Sequence, residues 1–203
     1  MYRITKSLLA SWGYMFSCYE DGQEDAKAEF LKALNREPAT VSEAMADGVA
    51  FENEVYRVAA GIARSPHPKW ENGIQSVAAI IKGAPVQIHV QRELKICGMD
   101  FLVYGVLDAM KAGVIYDVKY LSKSFGSADL AGKYLDNPQH PAYLYMVPEA
   151  YRFEYLVSDG NDLYKEVYDR SNTPFIGDLI AEFIQSVKAM GLLDLYKEKW
   201  VQP

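Results

Sequence analysis

Asp117 and Lys119 stand in the middle of GVIYDVKYL, a run of β-branched and aromatic residues that otherwise reads as a buried strand. Side chains alternate along a strand, so these two share one face while Tyr116, Val118 and Tyr120 share the other. Burying a carboxylate and an ammonium there is costly unless both are paired or bind something. The preceding run, MDFLVYGVLDAM, carries Asp108. A tight turn centred on Ala112 and Gly113 puts Asp108 directly across from Asp117, about 5 Å away between Cβ atoms. Two carboxylates that close repel each other, and a cation between them is the usual remedy. Oxygen-only ligands favour a hard ion, Mg²⁺ or Mn²⁺. The competing reading is a surface salt bridge on an edge strand, and the short spacing by itself does not choose between the two.

Downstream, KYLDNPQHPAYLYM holds Gln139 and Tyr143, four apart and so on one helix face. An amide and a phenol placed there can both hydrogen-bond a phosphate or an ordered water, or Tyr143 can simply pack. His67 and His89 have no partner pattern. His140, beside Gln139, reads as a satisfied or exposed histidine, and Glu93 has the strand parity to support the site from behind.

Asp108, eight intervening residues, then Asp117-Val118-Lys119 resembles the core motif of the PD-(D/E)XK nuclease superfamily, with Leu107 where the family's proline would stand. Gln139 and Tyr143 resemble the Q-x3-Y motif of its RecB-like and related exonuclease branches. Gly48-x3-Glu52, in MADGVAFENEV, resembles the first motif of those branches, with Glu52 as in the phage-type exonucleases. Glu54, two residues on, faces elsewhere on the helix and reads as a solvated acid, but the choice between the two stays open. ITKSLLASWGYMF is similar to the serine-containing opening helix of RecB-like nucleases. Cys18 lies where some of those carry a cluster cysteine, yet the chain has only one other cysteine, so no iron–sulfur cluster is expected.

The elements that must position these residues fall in three stretches. The first, about 1–84, reads as helical: 7–16, then 23–36 up to Pro38, a long helix from a Thr40/Glu43 capping box to about 62, and 71–81. The second, about 85–170, carries three strands, a helix over about 128–145 and two more strands. The third, about 174–200, forms one or two closing helices. That order gives an α/β fold, a small mixed β-sheet flanked by helices, and the resemblance makes its core restriction-endonuclease-like, in a single domain over 1–203.

With 203 residues, half of them apolar, the chain can bury its own core. A net charge of −6 argues against a nonspecific nucleic-acid coat protein. Locally, though, residues 111–133 carry four Lys against two Asp. The longest apolar stretch is interrupted by Lys82, so no membrane partner is expected, and two cysteines with no signal-peptide pattern suggest a cytoplasmic protein.

The resemblance implies a Mg²⁺- or Mn²⁺-dependent deoxyribonuclease, an exonuclease acting on linear DNA ends in recombination, repair or phage DNA processing. Asp108, Asp117 and Lys119 would be catalytic. Glu52, Asp108, Asp117 and the Val118 carbonyl would hold one or two ions, and Gln139 and Tyr143 would position substrate. The alternatives are a catalytically inactive nuclease-fold module that binds nucleic acid, and an interaction protein whose charged strand is an exposed edge.

Overall fold

The computed structural model describes residues 1–18, 22–38, 41–127 and 130–202. The chain opens with β1 (Tyr2–Thr5), α1 (Lys6–Ser17), α2 (Gln23–Leu34), α3 (Glu43–Ala59) and α4 (Glu71–Ile81). It continues with β2 (Val86–Ile96), β3 (Met99–Lys111), β4 (Val114–Tyr120), α5 (Gln139–Met146), β5 (Arg152–Ser158) and β6 (Leu163–Asp169), then closes with α6 (Ile176–Ala189) and α7 (Leu193–Trp200). The strands form one mixed six-stranded sheet in the order β1-β3-β4-β5-β6, with β2 paired to β3. This is the expected α/β class.

Two cores cover the sheet. Leu8, Phe30, Tyr143, Phe183 and Tyr196 from α1, α2, α5, α6 and α7 pack on one face with Phe101, Phe153 and Tyr155. Phe51 and Val55 of α3 and Ile74 and Val77 of α4 pack on the other, against Ala109, Val118 and Leu156. Each apolar helix stripe thus finds a sheet face to bury it. Two hairpins set the register: Cys97-Gly98 and Ala112-Gly113 all have positive φ, the signature of two-residue turns that match strand twist.

The long edge of β3 opposite β2 is shared. Its first half pairs in parallel with β1, over Phe101 to Tyr104, and its last residues pair with β4, from Ala109↔Tyr116 to Lys111↔Val114. Residues 105–108 lie between these two partners, and there β4 leaves β3 to run along β5 for seven pairs. At the same place the strand turns over. Leu107 belongs to one core and Ala109 to the other, although residues two apart on a regular strand share a face.

Three expectations need correction. The N-terminal stretch is not wholly helical, because YRIT forms β1 with Ile4 fully buried; four residues are too few to show a period. Of the helix expected over 128–145, residues 128 and 129 lie outside the described residues, and the described part is helical only from Gln139. Residues 131–136 form turns around Gly132 at φ 73, and Pro138 restrains Asn137 from helical backbone. The long third helix ends at Ala59 and starts after Ser42, whose hydroxyl accepts from the Met45 N–H at 3.2 Å. Thr40 of the expected capping box lies outside the described residues.

Gly105 marks how closely α5 sits on β3. A Cβ there would collide with the Tyr143 ring. Gly105→Ala should therefore lower stability by about 1–3 kcal/mol in urea unfolding, the range for overpacking a close-packed contact. An unchanged midpoint would show that α5 has room to move.

Candidate active site

The gap between β1 and β4 on β3 leaves backbone polar groups without ladder partners, and side chains supply them. Asp108 Oδ2 accepts from the Val118 N–H at 2.8 Å, standing in for the strand bond that ends one pair earlier. The pairing therefore stops short of the direct Asp108–Asp117 opposition read from the turn; a side chain spans that position instead. On an extended strand a residue's N–H and C=O point the same way, so the Val118 carbonyl also faces the gap. Tyr143 donates its hydroxyl to the Val106 carbonyl at 2.6 Å.

Asp117 is 1% exposed. Its Oδ1 accepts from the Gln139 amide, and its Oδ2 pairs with Lys119 Nζ at 2.5 Å. The burial of Asp117 removes the reading of a surface salt bridge, although Lys119 is only half-buried. Burial pushes the Asp108 carboxyl well above the usual range, and the neighbouring Asp117 and Glu52 carboxylates push the same way; Lys119 and the Val118 N–H oppose them. Burial acts to lower the Lys119 ammonium, yet Asp117 and Asp108 outweigh it and leave it raised.

Glu52 reaches the same cleft from α3. Its Oε1 accepts from the Tyr56 hydroxyl and, at 3.0 Å, from the Gln87 amide. Glu54 points elsewhere, held by Arg57 at 2.9 Å and Arg64 at 3.1 Å. A cleft of about 340 Å³ brings Glu52 and Asp108 together with Lys6, Gln87 and Tyr143. Among the described residues, no three His, Cys, Asp or Glu side chains form a ready-made metal cage.

Gln139 and Tyr143 both face inward, 3% and 1% exposed, with their polar ends on Asp117 and Val106. His140 is a core residue, fully buried and stacked on Tyr168 at 3.8 Å. Burial pulls its imidazole down to about 4. Glu93 stands away from the site: it pairs with Leu102, six residues along β3 from Asp108, on the order of 20 Å. His67 stacks on Trp70, and His89 bonds Tyr104 at 2.7 Å.

Sequence reasoning missed Lys6, Tyr56 and Gln87. Lys6 opens α1 at the mouth of the gap, with Nζ 5.5 Å from the Tyr143 ring centre. Burial lowers its ammonium, against the pull of Asp117. A signal was present, since α1 has no acid in its first turn, where the helix dipole favours one, and begins with a lysine instead.

The raised Asp108 carboxyl has a consequence for the metal-free protein. A folded-state value above the unfolded one, near 3.9, means that its contribution is complete below that pH and is lost as pH rises through the folded value. Asp108→Asn keeps an acceptor for Val118. It should raise the melting temperature at pH 8 without metal, with the gain vanishing toward pH 4. A pH-independent difference would show that charge is not the cause.

No family model and no curated protein matches this chain. Solved structures do. The structure of SSO0001 superposes with a TM-score of 0.54 at 13% identity, covering 92% of this chain and 77% of that one. The structure of LHK-Exo in complex with dAMP superposes with a TM-score of 0.55 at 12% identity, covering 97% and 92%. At such identities the likeness is one of fold: this chain has the fold of an exonuclease that has been captured with a nucleotide.

Proposed function

We propose that this protein is a metal-dependent nuclease that hydrolyses DNA phosphodiester bonds, acting as an exonuclease on linear ends in recombination, repair or phage DNA processing. The observation that carries the reading is the buried Asp117, ion-paired to the half-buried Lys119, on the strand next to Asp108, which caps the Val118 N–H and lines the cleft. A strand interior holds such a set at a cost, and a structural role would not require all three residues.

The donor set suits Mg²⁺ or Mn²⁺. It is all oxygen, and Asp108, Asp117 and Glu52 carry more negative charge than Lys6 and Lys119 balance. Mg²⁺ ordinarily takes one or two carboxylates and keeps several waters, so a closed protein cage is not needed. Asp108 and Asp117 would hold one or two ions, with the Val118 carbonyl and Glu52 as further oxygens. Bound there, the metal would supply Lewis-acid polarisation of the phosphate and a lowered pKa for the attacking water.

The remaining roles belong to the chain. Lys119, held charged by its carboxylates, orients the attacking water or stabilises the phosphate oxygens. Lys6, which lines the cleft, offers the entering phosphate a second cation. Gln139 fixes the Asp117 carboxylate, and Tyr143 holds the gap open at Val106; both position the substrate through the groups they hold.

End-labelled linear DNA should be degraded in Mg²⁺ or Mn²⁺, while covalently closed circles persist. Equal cutting of both would make the protein an endonuclease, and tight binding with no cutting would make it an inactive binding module. Asp117→Ala should lose metal binding and cleavage together. Lys119→Ala should retain metal binding while cleavage falls by about 100-fold or more, the scale of losing one transition-state donor. Wild-type cleavage by Lys119→Ala would contradict the mechanism.

A further inference from the structure

We infer that Gln87 is a positioning residue that holds the Glu52 carboxylate for the cation site, an inference that rests on the metal-dependent reading above. Gln87 lies within β2 with φ 53, a left-handed backbone that costs a side-chain-bearing residue energy. Among the described residues, the other non-glycine residues at positive φ have local reasons for it. Arg36 follows the end of α2, and Cys97 and Ala112 each open a two-residue hairpin turn. Gln87 has no turn to make. It faces Asp108 across the gap between the pairs Val86↔Ala109 and Ile88↔Leu107, where β3 turns over.

The left-handed backbone delivers the amide to α3. Gln87 Nε2 donates to Glu52 Oε1 at 3.0 Å and to the Tyr56 hydroxyl at 2.9 Å, while that hydroxyl donates to the same carboxylate oxygen. Two tethers therefore hold one oxygen of Glu52, and neither uses Oε2. A carboxylate anchored in this way keeps its second oxygen for the cleft it lines with Asp108. Strain kept at such a place, with no turn to account for it, is characteristic of a functional position. Partners that orient a ligating carboxylate change metal affinity by about 10–100-fold when removed.

The test separates orientation from structure. Gln87 is exposed, so Gln87→Gly creates no cavity, and glycine adopts the observed backbone freely. Calorimetric Mn²⁺ titration of the full chain should show binding about 10-fold weaker than wild type. The metal-free melting temperature should stay at or above wild type. Tyr56→Phe, which removes the other tether and leaves the β2 backbone untouched, should weaken Mn²⁺ binding in the same sense. Unchanged Mn²⁺ affinity in Gln87→Gly overturns the inference and leaves the nuclease reading standing. Weakened binding only in variants whose melting temperature has fallen also overturns it, since the role would then be structural. Absence of Mn²⁺ binding by the wild-type protein overturns both.

Discussion

One strand edge cannot serve two partners along its whole length, and the candidate site is built where β3 changes from β1 to β4. Backbone groups in that interval need partners wherever water is excluded. Asp108 takes the Val118 N–H and Tyr143 takes the Val106 carbonyl, so chemically capable side chains are also what hold the gap open. The close approach of Tyr143 is possible only because residue 105 is glycine. Sheet topology, α5 and the acids are thus one device. Moving any of them leaves a buried polar group unpaired.

Electrostatics sharpens the same point. Glu52, Asp108 and Lys6 line one cleft, and the buried Asp117 with its ion pair to Lys119 stands on the neighbouring strand, where charges interact more strongly than in water. Burial raises the Asp108 carboxyl, the Asp117 and Glu52 carboxylates add to it, and Lys119 only partly opposes them. Such a set is costly to fold and well suited to a divalent cation and a phosphate, which bring compensating charges of both signs. The helices on the two sheet faces contribute from opposite sides: Glu52 comes from α3, and Lys6, Gln139 and Tyr143 come from α1 and α5.

That Asp108 and Asp117 stand on neighbouring strands was legible because it depends on local rules, although the ladder ends one pair short of setting them opposite each other. Ala112-Gly113 specifies a tight turn, and alternation then assigns faces. The four-residue spacing of Gln139 and Tyr143 was legible for the same reason, but their partners were not. Hydrogen bonds to Asp117 and Val106 depend on where α5 docks, which spacing does not encode. β1 escaped notice because a four-residue parallel strand has its partner about a hundred residues away. Gln87 gave no signal, since glutamine seldom adopts left-handed backbone and nothing nearby in sequence demands it.

The proposed phosphodiester hydrolysis requires a cation at the β3–β4 gap. The most direct test is anomalous scattering from crystals of the protein grown or soaked with Mn²⁺. A peak is expected between the Asp108 and Asp117 carboxylates, within coordination distance of both. A Mn²⁺-bound crystal whose peaks all lie elsewhere, with Asp117 still paired to Lys119 and Asp108 still capping Val118, would contradict it.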